Sequence, residues 1–157
     1  MDKIGFWSTR DEYGCFSNWW PCNFTYNKQS FISSEQALMY IKATTFSDTE
    51  IAKKILQTKN QKEIKALGRE VKNYDNIKWS DIRYEVMVDI LISKFTQNKN
   101  LADILLSTGD STIYEASPYD RIWGIGSRDV NVINGTNLLG KALMAVREYM
   151  RMNNNEI

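Results

Sequence analysis

The sequence predicts a mostly helical α+β domain with a few short strands and two long loops lining one cleft. Three observations lead there. Helix-start signals recur from residue 33 onward, each a Ser, Thr or Asn ahead of an apolar-periodic run. Strand-like alternation is confined to a short stretch near the N-terminus. Two segments, 5–32 and 110–135, carry turn residues, glycine and aromatic rings without a helical period. Irregular stretches of that length in a compact domain are generally functional. At 157 residues, 43% of them hydrophobic, the chain suits one domain with a substantial core. Residues 1–152 are expected to form that domain and 153–157 a frayed tail.

Taken in order, residues 1–32 read as loop and short strand. CNFTYNKQSFI alternates about Asn27–Lys28, which predicts a β-hairpin. Ser33 with Gln36 is a capping-box pattern ahead of a helix in SSEQALMYIKA. Ser47 with Glu50 repeats it ahead of TEIAKKIL, and Asn60 with Glu63 ahead of QKEIKALGREV. Gly68 sits inside that third helix at a cost of about 1 kcal/mol against alanine, which close helix packing explains. Ser80 is expected to cap DIRYEVMVDILISKF, with Trp79 and Tyr84 as a hydrophobic staple. Asn98 opens KNLADILLS, which stops at Gly109. After the irregular 110–135, Thr136 is expected to cap a last helix running to about Met152. Its apolar stripe includes Leu139, Leu143, Val146 and Met150.

Composition excludes several function classes. A net charge of +1 is not the footprint of a protein that coats nucleic acid through phosphate contacts alone, although a local basic pocket is compatible with it. Cys15 and Cys22 suit neither a disulfide scaffold nor a zinc knuckle. The chain has no histidine. That removes Ser–His–Asp and Cys–His nucleophile systems, histidine-ligated zinc and histidine acid–base chemistry. Carboxylates, lysine, tyrosine, bound water or an oxygen-ligated metal remain, a set that fits carboxylate-run glycosyl chemistry. No signal segment opens the sequence and no apolar run approaches 18 residues, so a soluble cytoplasmic protein without membrane contact is expected.

Three constellations can carry chemistry. The first is Glu35 with Lys42, one acid and one amine seven residues apart on the Ser33 helix. The plain reading of Glu35 is a helix-start acid favoured by the dipole, and that of Lys42 a cation near the helix end. Lys42 also falls on the stripe of Leu38 and Met39, where a cavity would lower its pKa enough to make a usable amine nucleophile. The second is EASPYDRIWGIG, which packs Asp120, Arg121 and Trp123 beside Gly124 and Gly126: a carboxylate, a phosphate-binding guanidinium and a stacking ring. A packed aromatic turn is the plain alternative. The third is EYGCFSNWW, in which Ser17 and Asn18 offer hydrogen bonds and the rings offer stacking. Phe16 and one of the adjacent Trp19 and Trp20 are expected to plug the core. Arg10, Arg69, Arg121 and Arg128 are candidates to hold phosphate, and Trp7, Trp19 and Trp123 to stack a base.

EYGCFSNWW, SSEQALMYIKA, KALGREV, KWSDIRYEVM, LLSTGD, EASPYDRIWGIG and NLLGKALMAVRE, in that order from about Gly5 to Glu148, resemble the NADAR superfamily, also called YbiA-like. The resemblance implies a helix-rich α+β fold and N-glycoside hydrolysis of ADP-ribose-type or ribosylated-base substrates, without cofactor or metal. It implies catalytic roles for Glu35, Lys42 (as a Schiff-base lysine) and Asp120, with Trp79 and Trp123 in the site. The expected substrate contacts are Arg10, Tyr13, Gly14, Phe16, Ser17, Asn18, Trp19, Trp79, Arg121, Trp123 and Gly124.

Within that family the expected reaction is removal of ADP-ribose from guanine in DNA or RNA, ahead of cleavage of a ribosylamino-pyrimidine phosphate of riboflavin biosynthesis. A single flipped or single-stranded base needs a pocket and no long basic track. A non-catalytic ADP-ribose or NAD-derivative binding module stays open, although binding alone requires no buried amine. A helical interaction protein leaves both aromatic segments unexplained.

Overall fold

In the computed structural model, which describes residues 2–154, three short strands precede five helices, and a fourth strand and a sixth helix follow. In chain order they are β1 (Lys3–Phe6), β2 (Phe24–Tyr26), β3 (Gln29–Phe31), α1 (Ser34–Thr45), α2 (Thr49–Gln57), α3 (Gln61–Arg69), α4 (Asn76–Thr96), α5 (Lys99–Ser107), β4 (Thr112–Glu115) and α6 (Leu138–Asn154). The fold is the α+β, mostly helical class read from the sequence. Among the described residues no helix is long and apolar enough to cross a membrane. The described residues form two compact units, one from the segments up to 20 and from 95 onward, the other 21–94.

In the first unit β1 runs parallel to β4, from Lys3 opposite Thr112 to Phe6 opposite Glu115. The 110–135 segment, expected to be irregular, thus contributes one strand. Phe6 meets Phe16 edge-on at 5.8 Å, and Phe16 meets Phe95 at 6.2 Å. The predicted stripe of α6 is buried at Leu139, Leu143, Val146 and Met150. Arg147, on the same helix, is also buried and donates from Nη1 to Thr108 Oγ1 and Ser111 O, both at 2.9 Å.

In the second unit β2 and β3 form the expected antiparallel hairpin. Asn27 and Lys28 both take positive φ (50° and 67°), as a two-residue type I′ turn requires. Helix α1 packs on α2 and α3. The close approach to α3 is made at Gly68, where a Cβ would overlap the Met39 thioether. That bears out the packing reason for a helical glycine.

The caps carry the differences from expectation. Ser33 Oγ accepts from Gln36 N at 3.1 Å, but the Gln36 amide oxygen returns to Ile32 N (2.9 Å), one residue before the cap. Asn60 caps α3 through Glu63 N at 3.0 Å. The cap of α2 is Asp48, not Ser47. One carboxylate oxygen takes Ile51 N (3.1 Å) and the other takes Lys72 N (2.9 Å), a double anchor that a serine hydroxyl cannot provide. Asp75, not Ser80, opens α4, its Oδ1 accepting from Ile77 N and Lys78 N at 3.0 and 3.2 Å. Trp79 is therefore a buried first-turn residue (4% exposed), and the staple with Tyr84 does not form at a helix start. Helix α6 begins at Leu138 without a Thr136 cap. Its first amides, Leu138 N and Leu139 N, donate to the carbonyls of Ile122 and Trp123 at 3.1 and 3.0 Å. It ends at Asn154, two residues into the expected tail, and 155–157 lie outside the described residues.

Candidate active site

On α1, Ser33 fixes the helix start, so Glu35 is the second helical residue, at the positive end of the dipole. It is buried, 8% exposed. Lys42 follows seven residues later. In a regular helix that is about 20° around the axis and roughly 10 Å along it, so both lie near one face. Lys42 is half-buried. Burial lowers its pKa, the Glu35 carboxylate acts in the opposite sense, and Arg69 reinforces the lowering. The acid and the amine therefore feel each other. The Lys42 Nζ lies over the ring of Tyr74, 4.6 Å from its centroid. Trp79 belongs to this unit, and one turn after it Arg83 keeps a buried Nε with no hydrogen-bond partner among the described residues.

The first unit holds the other expected residues. Asp120 Oδ1 accepts from Ile122 N (2.9 Å) and Trp123 N (2.8 Å), which commits one carboxylate oxygen to shaping its own loop. Gly124 is buried and its carbonyl takes Asn137 N at 3.0 Å. Trp123 is half-buried and Arg121 exposed. Ser17 is half-buried, its Oγ accepting from Trp19 N at 3.2 Å, and Asn18 is buried. Arg10 is exposed. Tyr13 stacks on Phe16 at 5.4 Å, with 21° between the rings.

Two expected contacts change role. Phe16 is wholly buried among Phe6, Tyr13 and Phe95, so it is core and does not face a ligand. Gly14 is buried where a Cβ would overlap the Thr9 backbone, which accounts for the glycine without a substrate. Neither adjacent tryptophan plugs the core: Trp19 is 38% exposed and Trp20 half-buried.

The same unit contains an open, polar cavity of about 450 Å³, whose lining includes Trp7, Asp11, Glu12, Arg128 and Asp129. The Arg128 guanidinium lies 4.7 Å from the Trp7 ring centre, and Tyr119 tilts against Trp7 at 5.8 Å. Tyr119 is 84% exposed.

A model of the NADAR domain matches residues 5–151. The chain belongs to the NADAR family. The match takes in the whole of the second compact unit and most of the first. The chain is 41% identical to an N-glycosidase of Acanthamoeba polyphaga mimivirus, over 85% of each sequence. It is 30% identical to the N-glycosidase YbiA of Escherichia coli K12, over 94% of this chain and 88% of that one. A riboflavin biosynthesis protein of Vibrio vulnificus is 36% identical over 94% of this chain, which spans 38% of that protein's length. The NMR structure of E. coli YbiA superposes with a TM-score of 0.85 at 28% identity, covering 99% of this chain and 89% of the other.

For this NADAR chain, nothing in the sequence singles out Tyr74, Tyr119, Arg83 or the carboxylates beside the cavity. Tyr74 lies in KNYDN, between helices, where no spacing links it to Lys42. Tyr119 stands next to Asp120 in SPYDR, inside a segment expected to be functional, but its exposure is visible only in the structure.

Proposed function

We propose that this NADAR chain is an N-glycoside hydrolase that cleaves a ribose C1–nitrogen bond. The observation that carries the reading is the α1 pair, a buried carboxylate at the helix start and an amine whose pKa burial lowers, acting on each other along one face. The relatives named N-glycosidases, matched over most of both chains, support the same class.

In this reading the departing base leaves an oxocarbenium-like C1, whose charge the Glu35 carboxylate stabilises. The neutral Lys42 amine adds to C1 as the bond to the base breaks, and the proton that the alkylated amine gives up leaves on the base. Opening of the sugar ring gives an imine. Water adds to it and releases the sugar, which restores the lysine.

For the substrate we propose ADP-ribose attached to guanine in nucleic acid. The rings of Trp7 and Tyr119 with the Arg128 guanidinium supply the flat surfaces and cation that a nucleotide uses. The second reading, a ribosylamino-pyrimidine phosphate, is favoured by the similarity to the Vibrio vulnificus riboflavin protein.

The test incubates the protein with ADP-ribosylated guanine DNA and, separately, with the ribosylamino-pyrimidine phosphate, beside Glu35→Gln, Lys42→Ala and Asp120→Asn. Release of free ADP-ribose from the DNA, with the guanine left in the strand, or of free sugar phosphate from the pyrimidine substrate, by wild type and lost in Glu35→Gln and Lys42→Ala, is the expected result. Binding of ADP-ribose with no turnover of either substrate means a binding module and overturns the hydrolase. Borohydride should trap a sugar adduct on Lys42. Turnover without such an adduct removes the imine and leaves Glu35 as the sole catalytic group of α1.

A further inference from the structure

We propose that Tyr74 is the positioning residue for Lys42, holding the amine of α1 over its ring so that Nζ is presented in one place. This rests on the reading that Lys42 takes part in the reaction.

Three contacts make Tyr74 a fixed platform. Its ring carries the Lys42 Nζ at 4.6 Å from the centroid. Its edge is met by Phe46, the residue that closes α1, at 5.4 Å and 69°. Its hydroxyl donates to Asn76 Oδ1 at 2.9 Å, which ties the ring to the first turn of α4. The ring is therefore held by the end of one helix and the start of another, and Lys42 belongs to the first of these. A lysine stem carries about 2 kcal/mol of rotamer freedom, so an unsupported Nζ would sweep a wide volume. Tyr74 is 42% exposed, more than core packing alone calls for.

Charged groups act on both Lys42 and its platform. Glu35 acts on Nζ from the same helix and Arg69 from the end of α3. Lys78 lies over Phe46, 5.7 Å from that ring. Burial and Arg69 disfavour the ammonium, whereas Glu35 and the face of Tyr74 favour it. The face of Tyr74 thus favours the ammonium and holds Nζ in place, while burial leaves it easier to deprotonate than a surface lysine.

The experiment compares Tyr74→Leu and Tyr74→Phe with wild type. Lys42 is followed in the substrate-free protein by NMR of ¹³C-dimethylated lysines, assigned with Lys42→Arg. Loss of the ring in Tyr74→Leu should lower the Lys42 pKa by about half a pH unit. Tyr74→Phe keeps the ring and should stay within about 0.2 of a unit of wild type. On whichever substrate turns over, Tyr74→Leu should lower kcat at least about tenfold with little change in KM, as expected when a reacting group is misplaced. An unchanged Lys42 pKa and kcat in Tyr74→Leu overturns the proposal. So does a Tyr74→Phe variant as damaged as Tyr74→Leu, because the hydroxyl would then be what matters. If Tyr74→Leu moves the pKa but Lys42→Ala keeps full turnover, the platform stands and the catalytic role of Lys42 fails, so the two readings separate.

Discussion

Replacing Gly124 by alanine should cost far more than the same change at Gly68, although both glycines are buried and tightly packed. At Gly124 a Cβ would overlap the Glu115 carboxylate and stand 2.8 Å from Glu115 O and 2.9 Å from Asp120 O. Those two carbonyls already accept from Ile125 N (2.9 Å) and Gly126 N (3.0 Å). Backbone oxygens cannot rotate aside, so relief means moving the loop. Overpacking of this kind costs about 1–3 kcal/mol. Each weakened hydrogen bond adds about 0.5–1.5 kcal/mol. The stiffer unfolded chain returns about 0.4–1 kcal/mol. The net expectation is a loss of about 3 kcal/mol. At Gly68 the obstacle is the Met39 thioether, an unbranched side chain that finds another rotamer, and alanine gains about 1 kcal/mol of helix propensity. Gly68→Ala should therefore stay within about 1 kcal/mol of wild type.

Urea denaturation at constant m separates the two. Gly124→Ala made in a Glu115→Ala background tests the mechanism further. Removing the carboxylate relieves one overlap only, so most of the loss should persist. A Gly124→Ala protein within 0.5 kcal/mol of wild type would refute the reasoning. An equal loss in Gly68→Ala would refute the distinction between backbone and side-chain obstacles.

Asn137→Ala should destabilise by about 2–4 kcal/mol in the same assay. It removes both the Nδ2 bond to Ile113 O and the Oδ1 bond from Glu115 N, each 3.0 Å, and leaves two strand groups unsatisfied. Faster exchange of the Glu115 amide by NMR is the matching local signal. The amides of Lys72 and Ile51 hold the Asp48 carboxyl below its usual pKa of 3.8. A carboxyl depressed in the folded state stabilises above its unfolded pKa, and that contribution is lost as pH falls through the folded value. The urea midpoint of wild type should therefore fall below pH 4, and Asp48→Asn should flatten that fall while lowering stability at pH 7. Lys42 is also lowered on folding, here because burial disfavours its charged form, so the slope has the same sign in a higher pH window. Wild-type stability should rise with pH between the folded pKa and the unfolded 10.5, a rise that Lys42→Met abolishes. Glu35→Gln should reduce kcat by about 10²–10³-fold with the thermal midpoint preserved.

What the sequence reveals divides along a physical line. Local backbone chemistry is legible: the Asn27–Lys28 hairpin, the Ser33 and Asn60 caps, the Gly109 stop and the α6 stripe each depend on residues within one turn or one hairpin. Caps go astray where a distant group competes. Asp48 displaces Ser47 because its second oxygen reaches Lys72, and Thr136 loses α6 to carbonyls of the 122–123 loop. The candidate site follows the same division. Glu35 and Lys42 are legible because helical spacing alone puts them on one face. Tyr74 is not, because its relation to Lys42 exists only once Phe46 and Asn76 fix the ring. Aromatic residues are the hardest to assign for the same reason. Phe16 and Trp19 share one motif, yet one is fully buried and the other open to solvent, and composition alone cannot divide them.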